Sequence, residues 1–326
     1  MDVTVLVCTY NRCGPLRQAL ESIAASQMPL GLEWEILVVD NNSSDGTKRV
    51  VAEVSAAHPG RVRYVFEPTQ GKSAALNTGL GAARGKIIAF TDDDVTVAPD
   101  WLARLTANLS GGEWAGACGR ILPVLPGPGP RWLDEWHCWD GIVGRFDPAL
   151  AAGEACPAPW GGNMAISLPQ VAGVGGFRTD LGRVGRSLLS CEEQEFAARL
   201  ARAGKRFRYE PDAVVHHHPA RAQLTALYAL RWFFGKGRSD ARVANQPDAR
   251  RLCGVPVHLF RRLAACSLRC ALAPTERRRM RWAANTASIL GAIAGSWETC
   301  RRSPVNNKTQ PNHRKTFEET TGAPPS

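Results

Sequence analysis

The stretch IIAFTDDDV (Ile87–Val95) runs from a short apolar segment into three consecutive aspartates. An apolar run of this length that ends in polar residues predicts a buried β-strand. Adjacent carboxylates repel one another, so the arrangement requires a cation nearby. Side chains alternate along a strand, and this alternation directs Asp92 and Asp94 the same way. The stretch therefore predicts a strand end that carries a charged site.

Three other apolar segments precede this strand, and helical patterns separate them. The predicted strands are Val3–Cys8, Glu35–Asp40, Arg61–Phe66 and Lys86–Thr91. Apolar residues at helical spacing follow the first two strands, and Ser73–Ala83 is predicted to be a helix. The alternating order predicts an α/β fold, with a Rossmann-like, mostly parallel sheet and helices on both of its faces.

The carboxyl ends of these strands are the expected place for a ligand, because loops and helix N-termini meet there. Asp40 and the triplet Asp92–Asp94 both stand at such ends, which predicts one shared site. Mg²⁺ and Mn²⁺ bind carboxylate and phosphate oxygens, so we expect one of these cations beside a diphosphate. The alternative for the triplet is a solvated turn or a helix N-terminus near Pro99. The absence of a G-x-G-x-x-G sequence after the first strand argues against a dinucleotide dehydrogenase.

The pattern beyond Trp101 is less regular. The segment VLPGPGP (Val124–Pro130) predicts a surface loop between two halves of a domain. Trp132–Trp139 holds three of the ten tryptophans, which either pack into the core or form a stacking wall for a sugar or apolar acceptor. A helix is predicted next, and then two short strands, over Glu192–Ala203, Arg206–Glu210 and Ala213–His217.

The net charge of +10 is concentrated in one segment. Residues 250–302 contain eleven arginines and two glutamates and so carry +9, whereas residues 303–326 carry +1 and everything before them is neutral. This distribution argues against a nucleic-acid surface on the main domain. We expect a basic helical segment over 243–302 and a disordered tail over 303–326.

The basic segment has two possible placements: it binds the surface of an anionic membrane as an amphipathic helix, or it packs on the main domain. Its longest apolar stretch, Trp282–Trp297, is shorter than the roughly 20 residues that a membrane span needs. The ten cysteines form no C-x-x-C pair, so we expect reduced thiols and no zinc site. The expected location is the cytoplasm, at the cytoplasmic face of the membrane if the segment binds lipid.

Five motifs, taken in order, resemble those of family 2 glycosyltransferases with the glycosyltransferase A fold. They are VLVCTYNR (Val5–Arg12), VVDNNSSDGT (Val38–Thr47), GKSAALNTGL (Gly71–Leu80), FTDDDV (Phe90–Val95) and CEEQEF (Cys191–Phe196). The resemblance implies a catalytic domain over 1–242, with a nucleotide-sugar half (1–123) and an acceptor half (131–242). It implies an inverting transfer of a sugar from a nucleotide diphosphate, UDP favoured, to an acceptor hydroxyl in polysaccharide, glycolipid or glycoconjugate synthesis.

The resemblance also implies roles for single residues of the nucleotide-sugar half. The nucleotide sugar would contact Thr9, Asn11, Asp40, Asp45, Lys72, Asn77, Asp92 and Asp93. Asp40 would accept the imide N–H of the base, which favours uracil, and Lys72 would border the phosphates. Asp94 would bind Mg²⁺ or Mn²⁺, and His217 or, as second choice, His216 would approach the metal or the diphosphate. The alternative for these histidines is a solvated cluster.

The acceptor half supplies the implied catalytic acids. Glu192 and Glu193 resemble an acidic pair at a helix start, in which the second acid is the general base; Glu193 stands where aspartate is more usual. A glycine-rich acceptor strand would contribute Trp160, Gly161, Gly162 and Asn163. Candidates for contact with the leaving phosphate are Arg231 and Lys236. The acceptor would be a sugar, a lipid-linked sugar or a small molecule.

Two other functions use similar residues. A metal-dependent nucleotidyltransferase would show a glycine-rich, phosphate-gripping loop after the first strand, and CTYNRCG (Cys8–Gly14) has only one glycine. A non-catalytic nucleotide-sugar-binding module has no need of Asp94 and Glu193.

Overall fold

A computed structural model gives the structure of residues 1–133, 137–244 and 250–302, with the side chains of 137 and 302 excepted. The strands are β1 (Val3–Thr9), β2 (Trp34–Asp40), β3 (Val62–Phe66), β4 (Ile87–Asp92), β5 (Val95–Val97), β6 (Gly116–Pro123), β7 (Ala155–Cys156), β8 (Asn163–Ser167), β9 (Phe207–His217), β10 (Arg251–Leu252) and β11 (Val255–Pro256). The predicted tail, 303–326, lies outside the described residues.

The α-helices alternate with the first strands and then dominate the end of the chain. They are α1 (Cys13–Ala24), α2 (Thr47–Ala57), α3 (Lys72–Ala82), α4 (Trp101–Thr106), α5 (Asp140–Val143), α6 (Leu168–Val171), α7 (Glu192–Arg202), α8 (Ala226–Val243), α9 (Val257–Ala271) and α10 (Glu276–Arg302). Two short 3₁₀ turns span His137–Trp139 and Arg221–Leu224.

The main sheet has the strand order β3-β2-β1-β4-β8-β6-β9-β5, and β7 also pairs with β9. Strands β1 to β4 are parallel, whereas β8 is antiparallel to both β4 and β6. The apolar runs of β1 and β2 are buried almost throughout, as expected for strands covered on both faces. The predicted α/β fold with a mostly parallel sheet is confirmed, and the antiparallel pairs belong to its second half.

The two short strands predicted between residues 206 and 217 form one strand, β9. Its pairing with β6 shifts register between Gly119 and Arg120, whose partners are Glu210 and Val214. Pro211 falls in this irregularity, where its missing N–H does not break a ladder hydrogen bond. The two residues between the predicted strands, Pro211 and Asp212, therefore belong to a bulge within β9.

Two of the three tryptophans of the segment Trp132–Trp139 pack into a hydrophobic cluster rather than lining the cavity beyond the strand ends. Trp132 and Trp139 are buried in a cluster with Ile142, Ala229 and Met280, and the two indole rings meet edge to face at 4.9 Å. Trp136 lies outside the described residues. The stacking-wall interpretation of these two rings is therefore wrong.

The basic C-terminal segment is helical and packs on α8. A Cβ on Gly237 would lie 1.9 Å from the Ser288 carbonyl oxygen, and one on Gly291 would lie 2.0 Å from that of Phe234. Only glycine permits so close a crossing of α8 and α10. Arg238 and Arg242 pair with Glu298 across it at 2.7 and 2.8 Å. Within the part of the chain that the structure describes, no helix is long and apolar enough to span a bilayer.

Candidate active site

A cavity of about 450 Å³ opens beyond the carboxyl ends of β1 and β4. The loop after β1, the turn after β4, the N-termini of α3 and α7, and α8 all contribute side chains to it. Parallel strands and helix N-termini converge here as the sequence predicted. The predicted residues that line it are Thr9, Asn11, Lys72, Asp92, Asp93, Asp94, Trp160, Gly161, Gly162, Glu192, Glu193, His217 and Lys236.

The aspartate triplet continues from β4 into a tight turn. Asp93 accepts hydrogen bonds from Thr9 Oγ1 at 2.7 Å and from Arg12 Nη1 at 3.0 Å. The same Arg12 nitrogen lies 2.5 Å from Asp94 Oδ2, and His217 Nε2 lies 3.5 Å from that oxygen. Asp92 and Asp94 both line the cavity, but they meet different cations because a turn, not a strand, carries Asp94.

The pKa values of the triplet are moved in opposite directions. Burial raises the pKa of Asp93 to about 6, although Arg12 opposes the shift. Burial also acts to raise the pKa of Asp94, but the contact with His217 and the charge of Arg12 outweigh it, so this pKa lies below the ordinary value. Burial acts to lower the pKa of His217, and contact with Asp94 raises it overall. The contact between Asp94 and His217 in the cavity wall thus favours the ionised form of each group.

Lys72, the first residue of α3, joins the acids of the two halves. Its Nζ lies 2.9 Å from Glu193 Oε1, 3.2 Å from Asp92 Oδ1 and 3.7 Å from Glu192 Oε1. Burial acts to lower the pKa of Lys72, but the three carboxylates raise it well above its ordinary value. The ammonium group therefore stays charged among the acids.

The acid pair at the start of α7 has two unlike members. Glu193 lines the cavity and accepts the hydrogen bond from Lys72. Glu192 is buried, and burial followed by repulsion from Glu193 raises its pKa to about 8. Glu192 Oε2 has no hydrogen-bond partner within the described residues. Glu192 is therefore mostly protonated at neutral pH, and Glu193 is the better placed proton acceptor.

Gly161 and Gly162, just before β8, lie so close to two acidic side chains that a Cβ at either position would clash with one of them. A Cβ on Gly161 would lie 2.5 Å from Glu193 Oε1, and one on Gly162 would lie 2.8 Å from Asp92 Oδ2. Asn163, however, does not face the cavity: it is fully buried, accepts from Trp101 Nε1 at 2.8 Å and donates to two backbone carbonyls. Its predicted contact with an acceptor has no support, because its amide binds the sheet itself.

Four further predicted residues support the loops around the cavity. Asn11, at φ 51°, accepts from the Ser44 N–H at 2.8 Å. Asp40 is buried behind the cavity and accepts from the Ser43 N–H at 2.9 Å and from the Tyr64 hydroxyl at 2.8 Å. The remaining two also hold backbone groups, Asp45 at the start of α1 and Asn77 at Phe177. Of the four, Asn11 alone lines the cavity.

The two phosphate candidates on α8 differ in their position relative to the cavity. Lys236 lines the cavity and pairs with Asp240 at 2.5 Å. Arg231 is exposed and does not line the cavity, since it lies on another face of the helix. Sequence reasoning gave no role to Arg12, Tyr228 or Trp232, which do line it. Arg12 ends the first motif, and Trp232 directly follows the phosphate candidate Arg231, so both residues adjoin positions that the sequence had already marked.

The residues beside Asp94 fit a divalent cation that shares its shell with a substrate. Within the described ranges, no group of three or more histidine, cysteine and acidic side chains is arranged to hold a metal ion. Asp94 and His217, whose polar atoms lie 3.5 Å apart, would be the two ligands at this place. Mg²⁺ commonly takes one or two carboxylates and completes its shell with water and phosphate oxygens. In this structure Arg12 pairs with the Asp94 carboxylate.

Comparison with known proteins agrees with this arrangement. Residues 4–168 match the family model described as glycosyl transferase family 2. The chain belongs to this family. The glycosyltransferase is 26% identical over 300 residues to the succinoglycan biosynthesis protein ExoM of Rhizobium meliloti (strain 1021), which covers 90% of this chain and 93% of ExoM. It is 27% identical over 223 residues to a glucosyl-dolichyl phosphate glucuronosyltransferase of Haloferax volcanii, which covers 67% of this chain and 69% of that one.

Solved structures share the fold of this glycosyltransferase. A mannosyltransferase from Pyrobaculum calidifontis, solved in complex with GDP-Man and Mn²⁺, superposes with a TM-score of 0.62 at 23% identity and covers 91% of this chain and 87% of its own. S. aureus TarS 1–349 gives a TM-score of 0.51 at 16% identity, covering 93% and 92%. The mixed sheet and its helices thus have the fold of these two solved structures.

Proposed function

We propose that this glycosyltransferase moves a sugar from a UDP-sugar to an acceptor hydroxyl with inversion, with Glu193 as general base and Mg²⁺ or Mn²⁺ at Asp94. The observation that carries the proposal is the convergence of Asp92, Asp94 and Glu193 on one cavity, although the chain separates them by about a hundred residues. Lys72 links the two sets of acids through Asp92 and Glu193. A donor diphosphate and an acceptor hydroxyl would meet between them.

The donor half would hold the nucleotide by residues that are already fixed in place. Asp40 stands at the end of β2, beside Asn41, which lines the cavity and accepts from the Gly71 N–H at 2.8 Å. Uracil and thymine both present an imide N–H to such a carboxylate. GDP is the other competitor, since the Pyrobaculum mannosyltransferase was solved with GDP-Man. UDP remains our proposal because Asp40 matches the motif position of a uracil-binding acid.

The diphosphate would be held by cations that are now paired with acids. Asp94 and His217 would hold the divalent ion, which when bound would neutralise charge on the leaving diphosphate. Lys72 and Lys236 face the same cavity as point charges that suit phosphate oxygens. A phosphate that draws Lys72 away from Glu193 would leave that carboxylate ready to accept a proton. Donor binding would in this way prepare the base.

The acceptor half would direct a hydroxyl toward Glu193. The carboxylate lies beside Gly161, and Trp160 and Trp232 contribute rings to the same cavity. A base on the side opposite the leaving diphosphate supports one in-line displacement, so an α-linked donor gives a β-linked product. The names of ExoM and the Haloferax enzyme support a polysaccharide or lipid-linked acceptor, and a cytoplasmic location suits such donors.

A thermal-shift panel of UDP, dTDP and GDP, each with and without Mn²⁺, tests the donor. We expect UDP with Mn²⁺ to give the largest rise in melting temperature, because a ligand stabilises the folded state that binds it. A larger shift with GDP, or no dependence on Mn²⁺, contradicts the proposal. The anomeric configuration of the product by NMR then tests inversion.

A further inference from the structure

Helix α9 buries one apolar face and exposes another. Leu259, Leu263 and Cys266 pack toward α10, where they meet Ile289 and Ile293. These residues account for the amphipathic pattern that a surface helix needs to dock on its own protein. The rest of the helix surface has no such role.

The second apolar stripe runs along the outside of α9. Phe260, Ala264, Leu268 and Leu272 follow one another at intervals of four residues, so they share one side of the helix. Phe260 is 39% exposed, Leu268 61% and Leu272 72%, and Ala264 is exposed as well. Single exposed leucines are common, but an aligned row of apolar side chains marks a surface that binds something.

Arginines flank this stripe, and α9 itself contains no acidic residue. Arg261, Arg262 and Arg269 are exposed on α9. Residues 250–275 contain five arginines and no aspartate or glutamate. Glu276 begins α10 just beyond the end of α9, and three more exposed arginines follow it directly, Arg277, Arg278 and Arg279. The surface around the stripe therefore carries a net positive charge, and its complement is negative.

We propose that α9 is a membrane-surface helix: Phe260, Leu268 and Leu272 enter the acyl boundary of an anionic bilayer while the arginines meet lipid phosphates. Such a helix lies in the plane of the interface, and arginine stems reach along it to the headgroups. A nucleic acid would match the charge but not the apolar stripe. The proposal narrows the membrane contact from the whole basic segment to one face of α9, since α10 packs on α8.

The attachment has a consequence for the active site. Helix α8 contacts α10 with one face and supplies Tyr228, Trp232 and Lys236 to the cavity with another. A bilayer bound at α9 is therefore joined to the acceptor wall through two packed helices. The proposal goes beyond the transfer reaction and does not depend on which nucleotide the donor carries.

Flotation of the full chain with vesicles tests the proposal. The wild type should float with phosphatidylcholine vesicles that contain phosphatidylglycerol, weakly with phosphatidylcholine alone, and less at high salt. The double variant Leu268→Ser with Leu272→Ser should bind at least about tenfold more weakly, because two inserted leucines are lost. Its matched control is Leu30→Ser with Leu227→Ser, two exposed leucines outside α9, which should float like the wild type.

A second pair of variants tests the charge. Arg261→Glu with Arg262→Glu should lower binding to the anionic vesicles at least about tenfold. Lys48→Glu with Arg49→Glu makes the same change at two adjacent exposed residues of α2 and should not. Equal flotation of test and control pairs overturns the proposal, as does no flotation of the wild type. A dimer in vesicle-free solution that the serine pair alone disrupts assigns α9 to a second copy and also overturns it.

Flotation and the thermal shift with UDP and Mn²⁺ measure independent properties of the protein. The thermal shift with UDP and Mn²⁺ should be the same in the serine pair and the wild type, because neither leucine lines the cavity. A protein that floats but does not bind UDP retains this proposal and loses the previous one. A protein that binds UDP but does not float retains the proposed transfer reaction and overturns the membrane-surface role of α9.

Discussion

Two clusters of adjacent carboxylates face the same cavity, and the structure relieves their repulsion in different ways. In the turn after β4, Asp94 stays ionised because Arg12 and His217 surround it. At the start of α7, burial and the neighbouring charge raise the pKa of Glu192 to about 8, so one member of the pair keeps its proton. Asp94 therefore keeps its negative charge, whereas Glu192 keeps its proton.

This difference in ionisation indicates which chemistry each cluster suits. A carboxylate that stays charged beside internal cations, as Asp94 does, is suited to bind a divalent ion that in turn carries a diphosphate. A pair with one neutral member leaves Glu193 without a second full charge beside it, and Glu193 accepts a hydrogen bond from Lys72. We therefore propose that the turn serves binding and the helix start serves proton transfer. Each variant below changes one cluster and leaves the other as its comparison.

The largest effect is expected at Glu193. Glu193→Gln keeps the shape of the side chain but removes the proton acceptor, and general-base catalysis contributes about 10² to 10⁴-fold. We expect turnover in a sugar-transfer assay to fall by that factor, with the dissociation constant for UDP unchanged. The matched control is Glu192→Gln, which should stay within a few-fold of the wild type because Glu192 is already protonated. Reversed results would exchange the two roles.

The next effect is expected at Asp94 and concerns binding. Asp94→Asn removes the charge that now pairs with Arg12, so a divalent ion held there would lose its carboxylate ligand. Calorimetry should show UDP affinity in Mn²⁺ reduced at least about tenfold, toward the metal-free value of the wild type. Asp212→Asn, at an exposed aspartate of β9, serves as control. Affinity that still rises with Mn²⁺ as in the wild type would remove Asp94 from the metal site.

Gly161→Ala tests how tightly the second cluster is held. The new Cβ would lie 2.5 Å from Glu193 Oε1 and 2.6 Å from its Cγ, so the carboxylate must move. Because small displacements of a catalytic group are costly, we expect turnover to fall about tenfold with little change in UDP affinity. Gly81→Ala in α3 adds the same methyl group where nothing lies within 4 Å, and it should be silent. Equal activity of the two variants would show that Glu193 has freedom to adapt.

The sequence predicted the binding cluster better than the supporting contacts. Strands β1 to β4 agree with prediction within one or two residues, because buried parallel strands and their helices leave a local periodic pattern. The places of Asp94, Lys72 and Glu193 followed from motifs at the ends of those elements. The contact of Arg12 with Asp94 and the burial of Asn163 depend on how distant segments pack, and no local pattern encodes them.

The smallest effect is a change in stability with pH, and it tests the neutral member of the pair directly. In the unfolded chain Glu192 titrates near the ordinary glutamate pKa of about 4.3. Between that pH and about 8, the folded protein retains a proton that the unfolded chain has lost, so the free energy of unfolding falls as pH rises.

The variant Glu192→Gln cannot ionise at this position, so its stability does not fall for this reason. The raised pKa of His217 lowers stability with rising pH in both proteins, so its effect cancels from their difference. The melting temperature of the variant, measured relative to the wild type, should therefore rise by a few degrees between about pH 5 and about pH 9. Melting curves of the two proteins that keep a constant separation over this range would mean that Glu192 is ionised in the folded state, and the two clusters would then handle their charge alike.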